Sequence, residues 1–380
     1  MLPYGRQTIE EEDIEAVVAV LRSDWLTTGP AVPAFESTFA AAVDAGHAIA
    51  LSNGTAALHA AMFAAGVGEG DEVIVPAMTF VASANCVRYQ GATVVFADVS
   101  PDTLNVDPDR VAAAVTPRTR AIVTVDYAGQ PSDLDELREI ADRHNLVLVE
   151  DASHALGARY RGRRVGSIAD LTTFSLHPVK LITSGEGGVV TTNDPELARR
   201  LRLFRNHGIT SDHRQREVSG TAYYEMTDLG YNYRLTDFQS ALGQSQLSRL
   251  AASVARRTEI ANLYDAGFRQ IPAITPLRRV EDRQSGWHLY VVELDFARLR
   301  VGRDEILSAL RAENIGVNVH YVPVPWQPYY QALGHTVGDR PVAEGAYQRI
   351  LSLPIFPAMS DQDVEDVLAA CEKVVRAYHS

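Results

Sequence analysis

The chain has 380 residues, 46% of them apolar and 22% charged, with 35 Lys plus Arg against 48 Asp plus Glu and a formal net charge of -13. That length can bury a large core in two or three domains, and the composition excludes a disordered or fibrous chain. The acidic balance argues against nucleic-acid binding, for which a basic face would be expected.

The opening stretch MLPYGRQTIEEED lacks the apolar core of a signal peptide, and no later stretch is apolar long enough to span a bilayer, so a soluble cytoplasmic protein is expected. Thr8 followed by Glu11 has capping-box spacing and predicts a first helix with Ile14, Val17, Val18 and Leu21 on one face, ending near Ser23. From residue 47 the pattern alternates: strand HAIALS, helix from Thr55, strand EVIVP, helix from about Thr79, strand ATVVFADV, helix after Asp107, strand RAIVTVD, helix DLDELREIADRHN, strand LVLVEDAS. Short β-rich runs alternating with amphipathic helices predict a mostly parallel sheet covered on both faces.

After residue 160 the rhythm changes to two strands, DLTTFSLH and GGVVTT, joined by a loop that carries Lys180. Residues 209 to 222 read as a polar, mobile surface loop. Thr236 opens a long helical pattern through about Tyr264. A smaller α+β segment follows, with strand HLYVVELD, a helix from about Arg303, strand VNVHYV and a final helix capped by Ser360. The expected division is a large α/β domain over 1–250 and a small α+β domain over 251–380. Cys86 and Cys371 each lie in an apolar helical pattern and read as buried thiols, with neither a disulfide nor a metal pair expected.

Several chemistries are disfavoured by spacing. GVGEGD (66–71) has the wrong spacing for a dinucleotide fingerprint and precedes a strand instead of opening a helix. The eleven histidines show no HExxH spacing, and no GxSxG elbow is present. Four other segments converge. SNGTAAL (52–58) ends a strand and opens a helix whose free amides suit a phosphate, though an ordinary capped helix start would look the same. Asp151 ends an apolar strand, where it is either a helix cap or the acidic partner of a pyridine nitrogen. Lys180, in FSLHPVK, can condense with an aldehyde as no serine or cysteine can. LGYNYRLTD (229–237) places Asn232 and Arg234 just before the long helix, as solvated loop residues or as ligands. Together with an aromatic-flanked turn at MTFVAS, these segments specify pyridoxal phosphate.

The segments EDASHALGARY, FSLHPVK, EGGVVTTN, LFRNHGI, YNYRLTD and VNVHYVP resemble the sugar aminotransferases of the DegT/DnrJ/EryC1/StrS family, and the likeness covers essentially the whole chain. It implies the fold of the PLP-dependent transferases of aspartate aminotransferase type (fold type I), with a mostly parallel seven-stranded sheet. With the N-terminal segment PYGRQTIEEEDIEAVVAVLRSDWLTTGP, the match is best to the branch serving pseudaminic acid biosynthesis. That branch implies a UDP-linked 4-keto-6-deoxy-HexNAc substrate and L-glutamate as amino donor.

Carried over by position, the resemblance implies that Lys180 bonds the cofactor's aldehyde and Asp151 pairs with the pyridine nitrogen. Phe80 would stack on the ring, and His154 would lie near its hydroxyl. Gly54, Thr55 and Ser175 would hold the phosphate with Asn232 of a second copy, which implies a homodimer with shared sites. Tyr4, Asp24, Trp25, Leu26, Thr27, His320 and Tyr321 match segments lining the nucleotide-sugar pocket, and Arg6 and Arg234 are candidates for the pyrophosphate. Leu176 departs from the aromatic more often found there, a change expected to touch packing beneath the loop and not chemistry. Lys180 disfavours the same-fold sugar dehydratases, which carry histidine at that position. Aminotransferases of GDP- or dTDP-linked keto sugars, or a PLP-binding regulator without turnover, are the remaining readings.

Overall fold

The computed structural model describes residues 1–379 except 212–215, 217 and 219, so part of the expected polar loop at 209–222 lies outside the described residues. Among the described residues thirteen strands are formed: β1 (His47–Leu51), β2 (Glu72–Pro76), β3 (Thr93–Ala97), β4 (Thr119–Val125), β5 (Val147–Asp151), β6 (Arg159–Tyr160), β7 (Arg163–Arg164), β8 (Leu171–Ser175), β9 (Gly188–Thr192), β10 (Ile274–Pro276), β11 (Arg283–Gln284), β12 (Tyr290–Leu294) and β13 (Ile350–Leu353). Seven of them make one sheet in the order β1-β9-β8-β5-β4-β2-β3. All run parallel except β9, which is antiparallel to both neighbours. Every residue of β2 and β9 is buried, as a sheet covered on both faces requires. Covering helices include Gly54–Ala64, Ala82–Tyr89 and Leu134–His144.

A second sheet, β10-β12-β13, packs with helices Arg303–Ala312 and Asp361–Tyr378 around a separate core running from Ile260 to Val375. The small sheet β11-β6-β7 joins the two halves of the chain through the pairs Arg283↔Tyr160 and Gln284↔Arg159. Ser360 caps the last helix in a capping box with Asp363, as expected.

Three expectations are corrected. The first helix is Glu11–Leu21, with its box made by Glu10 and Asp13 instead of Thr8 and Glu11. Asp13 wins because it turns inward, where it is fully buried and accepts from Ser245, Gln246 and Arg249; the expected inner face is left outward, with Ile14 47% and Leu21 55% exposed. The long helix is two, Asp237–Ser248 and Leu250–Phe268, meeting at Arg249. VNVHYV forms no strand: Asn318 makes a single bridge to Ser352, and Pro323 and Pro325 follow shortly after. The place beside β12 is taken by β13, which follows an unforeseen helix, Pro341–Arg349.

Gly188 sets the approach of β9 to the turn after β1. A Cβ there would lie 2.3 Å from the Asn53 carbonyl oxygen and 2.9 Å from the Gly54 nitrogen. Gly188→Ala is therefore expected to destabilise the fold by about 1–3 kcal/mol, as overpacking does, and to loosen the turn at Gly54. Chemical denaturation with an unchanged m-value and a lower midpoint checks this.

Candidate active site

The carboxyl ends of the parallel strands share one edge of the sheet, where open α/β folds hold their ligands. A cavity of about 770 Å³ opens there. Its floor is made by the β1 turn. Asn53 caps the helix Gly54–Ala64 through Ala56 N, 2.8 Å from Asn53 Oδ1, and Gly54 and Thr55 begin that helix at the cavity wall. Ser175 ends β8 alongside, and a Cβ on Gly54 would approach the Ser175 Cβ to 3.0 Å, so the cradle is open only because residue 54 lacks one.

Asp151 ends β5, where the alternation of side chains sends it and Glu150 to opposite faces. Asp151 Oδ2 accepts from Ser83 Oγ at 2.7 Å and Oδ1 from Ser153 N at 3.1 Å. Ser83 in turn lies 2.8 Å from the Thr79 hydroxyl. On the other face Glu150 and Asp126 are both fully buried, and burial pushes both carboxyls up, Asp126 further through repulsion by Glu150.

Lys180 stands in the loop between β8 and β9. That loop is tightened by Leu176, which is fully buried and bonds Gly187 O through its nitrogen and Thr183 Oγ1 through its oxygen. The backbone at position 176 thus ties the loop, while the leucine side chain packs in the core beneath it. Crowding by protein atoms desolvates the Lys180 amine and pulls its pKa down to about 8, against an upward pull from Asp151. Part of the residue stays open to the cavity.

The opposite wall comes from His154, His288 and the segment Asn318–Tyr321. His154 Nε2 and the Tyr321 hydroxyl are 3.0 Å apart, while Tyr321 N donates to Met78 Sδ. His320 Nδ1 lies 2.8 Å from Ser352 Oγ, and its ring meets that of Tyr4 at 5.3 Å. Phe80, 54% exposed, flanks the mouth with its ring 5.9 Å from that of Tyr321.

Ten of the expected residues therefore meet in one cavity: Tyr4, Gly54, Thr55, Phe80, Asp151, His154, Ser175, Lys180, His320 and Tyr321. Others lie elsewhere in the single chain. Asn232 is exposed and bridges Asn206, and Thr27 bridges Thr236, with Leu26 O accepting from Asp237 N. Asp24 and Trp25 are likewise outside the cavity lining. Arg234 bonds Asn206 Oδ1 at 2.6 Å beside a separate hollow with Arg199 and Arg202, and Arg6 lines a third with Arg249 and Arg257 that Lys180 also borders. Sequence reasoning missed His288, hidden in a strand-like run, and Ser83, whose segment MTFVAS was singled out only for its aromatic.

Burial holds four histidines neutral: His59 and His320 are pulled down to about 4, and His154 and His288 well below the ordinary value. In the unfolded chain each takes its proton near pH 6.5, whereas in the folded chain His59 and His320 refuse it until near pH 4 and His154 and His288 hold it off well below the ordinary value. The unfolded state then binds more protons in that window, so stability is full above pH 6.5 and falls as pH drops toward 4, by on the order of 3 kcal/mol for each of His59 and His320. Unfolding midpoints measured from pH 7.5 to 4.5 are expected to fall most steeply below 6.5, and to fall less in His59→Phe.

The donor set suits a phosphorylated pyridine aldehyde. It offers an amine, a carboxylate held by two donors, a helix N-terminus with an open cradle, and buried His154 Nδ1 and His288 Nδ1 atoms without protein partners. The family model for the DegT/DnrJ/EryC1/StrS aminotransferases matches residues 7–372. The spore coat polysaccharide biosynthesis protein SpsC of Bacillus subtilis (strain 168) is 45% identical over 99% of this chain and 97% of its own length. Spr1654 of Streptococcus pneumoniae, solved in PMP, PLP and apo forms, superposes in its PLP form with a TM-score of 0.92 at 33% identity over 99% of each chain. Helicobacter pylori PseC, an aminotransferase involved in the biosynthesis of pseudoaminic acid, does so with a TM-score of 0.92 at 32% identity over 99% of this chain and 100% of its own. The fold is that of the fold type I enzymes and the cofactor is pyridoxal phosphate. The chain belongs to the DegT/DnrJ/EryC1/StrS aminotransferase family and is a sugar aminotransferase.

Proposed function

We propose that the protein transfers an amino group from L-glutamate to C4 of a UDP-linked 4-keto-6-deoxy-HexNAc sugar, a cytoplasmic step of pseudaminic acid type biosynthesis. The observation that carries the reading is the meeting of Lys180 and Asp151 in one cavity at the carboxyl edge of the sheet. The likeness to PseC supports the sugar. Phe80 would lie against the cofactor ring, Asp151 at its nitrogen, His154 by its hydroxyl, and Gly54, Thr55 and Ser175 around its phosphate. When bound, the cofactor supplies an electron sink for the carbon that loses its proton.

The chain's own residues do the rest. Lys180, with a pKa of about 8, can hold or release a proton at Nζ near neutral pH, the condition for an efficient general acid and base. Ser83 and Ser153 hold the Asp151 carboxylate in place. Tyr4, His320 and Tyr321 offer aromatic and polar surface for the sugar, and the neutral imidazoles add no charge to the cavity.

Asn232, which lies outside this chain's own cavity, is read as reaching the phosphate of a second copy, so the reading includes a homodimer with shared sites; Asp24, Trp25, Leu26 and Thr27 also lie outside that cavity. The division at 1–250 and 251–380 fits the change of core cluster between Leu250 and Ile260. Asn232→Ala is expected to weaken cofactor retention by about tenfold, the worth of one lost hydrogen bond to a charged group. Equilibrium dialysis reads the affinity, and a fully loaded monomer in size exclusion would contradict the shared site.

A panel of 4-keto sugars on UDP, GDP and dTDP carriers, incubated with glutamate and read by mass for ketone turned to amine, tests the function. Conversion of the UDP-HexNAc ketone is the expected result. Preference for a GDP or dTDP sugar would move the assignment to another nucleotide-sugar aminotransferase. No conversion with any sugar or donor would favour a regulator.

A further inference from the structure

His288 enters the cavity from just before β12. Its backbone is clamped: Arg257 Nη1 donates to Trp287 O at 3.0 Å, Gly286 N to Gly129 O at 2.9 Å, and Leu289 N to Ala128 O at 3.2 Å. Gly129, at φ +107, allows the approach, since a Cβ there would fall 2.6 Å from Trp287 N and 3.1 Å from His288 N. The imidazole packs on His154 with ring centroids 4.5 Å apart. Thus both backbone and ring are fixed where Nε2 lies 3.3 Å from Lys180 Nζ. Among the described residues no other side chain forms a hydrogen bond with that amine.

We propose that His288 is the positioning residue of Lys180: its neutral ring, protonated on Nδ1, accepts one N–H of Nζ through Nε2 and so turns the amine's lone pair toward the open cavity. The reading rests on Lys180 being the proton carrier. In the transfer step the lone pair of Nζ would take the proton from the substrate carbon, and the bound cofactor would supply the sink for the electrons of that bond. His288 neither gains nor loses a proton. The charged and titratable groups around the pair agree with a neutral ring. Burial, Lys180, His154, Arg257 and His320 all disfavour charge on His288, and the one anion acting on Lys180 is Asp151.

The test uses holoenzyme first treated with L-glutamate, so that Lys180 is free, and follows cyanate labelling of residue 180 against pH by peptide mass, together with exchange of the donor's α-hydrogen into solvent. Wild type should label with a midpoint near pH 8. In H288F the ammonium loses its acceptor, so the midpoint should fall by about one unit while exchange slows about 10- to 100-fold through misorientation. H288Q, which keeps an acceptor, should restore the midpoint and most of the exchange rate; H288N, too short to reach, should resemble H288F and serves if that variant does not fold. An unchanged midpoint and exchange rate in H288F or H288N would overturn the proposal, as would an H288Q variant no better than they are. Failure of the underlying reading shows separately, as absence of a borohydride-reduced cofactor adduct on residue 180 in the wild type.

Discussion

Lys180→Ala is expected to lower amine formation by about 10⁴-fold or more, because on the proposed reading it removes both the nucleophile that would hold the cofactor and the group that would carry the proton. The geometry gives this lysine no substitute. His154, His288 and His320 share its cavity, but burial keeps each of them a poor proton acceptor near neutral pH. Lys180→Arg is the sharper control, since it keeps length and charge while its guanidinium does not deprotonate. It should be as inactive as alanine and should leave the cofactor bound without a covalent link. Borohydride reduction and peptide mapping read the link, and steady-state amine formation reads the turnover. Added small amines are expected to restore part of the alanine variant's rate and none of the arginine variant's, whose side chain fills the space. Multiple turnovers by Lys180→Ala alone would remove Lys180 from the mechanism.

What the sequence disclosed about this site followed from periodicity. β1 and β5 are short runs rich in apolar residues that stop at polar ones, and a parallel sheet collects those stops along one edge. Gly54 and Asp151 were legible for that reason and Lys180 as the amine in the loop after β8, whereas Ser175 came from the family resemblance. His288 was not, because a histidine ahead of LYVVEL reads as one more core position until the fold brings it to Lys180. Ser83 needs the helix Ala82–Tyr89 to begin where it does before its hydroxyl reaches Asp151.

The errors in the fold have local causes. Asn318 to Val322 has strand-forming residues, yet it is bound to Ser352 at one point and to Met78 through Tyr321 N, which leaves no ladder to extend. The capping box shifted because Asp13 had three tertiary donors that no local rule contains. Asp24 to Thr27 and Asn232 carry family signals that a single chain does not bring to its own cavity.

Asp151→Asn is expected to cost about 10²–10³-fold in turnover, the scale for losing one preorganised electrostatic group, with the fold intact. The amide is isosteric, but its NH₂ cannot accept from both Ser83 Oγ and Ser153 N, and its charge is gone. The NH₂ then faces either Ser153 N, donor to donor, or Ser83 Oγ, which can turn to accept it and donate to the Thr79 hydroxyl 2.8 Å away, and in that arrangement the loss is the charge. Asp151→Glu separates charge from position: it restores the carboxylate on a side chain one methylene too long for a buried site only 5% exposed. If charge dominates, the glutamate variant recovers most of the loss; if placement dominates, it resembles asparagine. The tight donor geometry at both oxygens favours placement, and the glutamate variant should recover less than a tenth of the wild-type rate. The buried pair Asp126 and Glu150 on the reverse face sharpens the argument. Burial pushes those two carboxyls upward, whereas Asp151 lines the cavity with Lys180 and is held there by Ser83 and Ser153. Ser83→Ala should accordingly lose part of the turnover while leaving the covalent link at Lys180 intact, and a Ser83→Ala enzyme at full rate with tightly bound cofactor would show that Asp151 needs no such support.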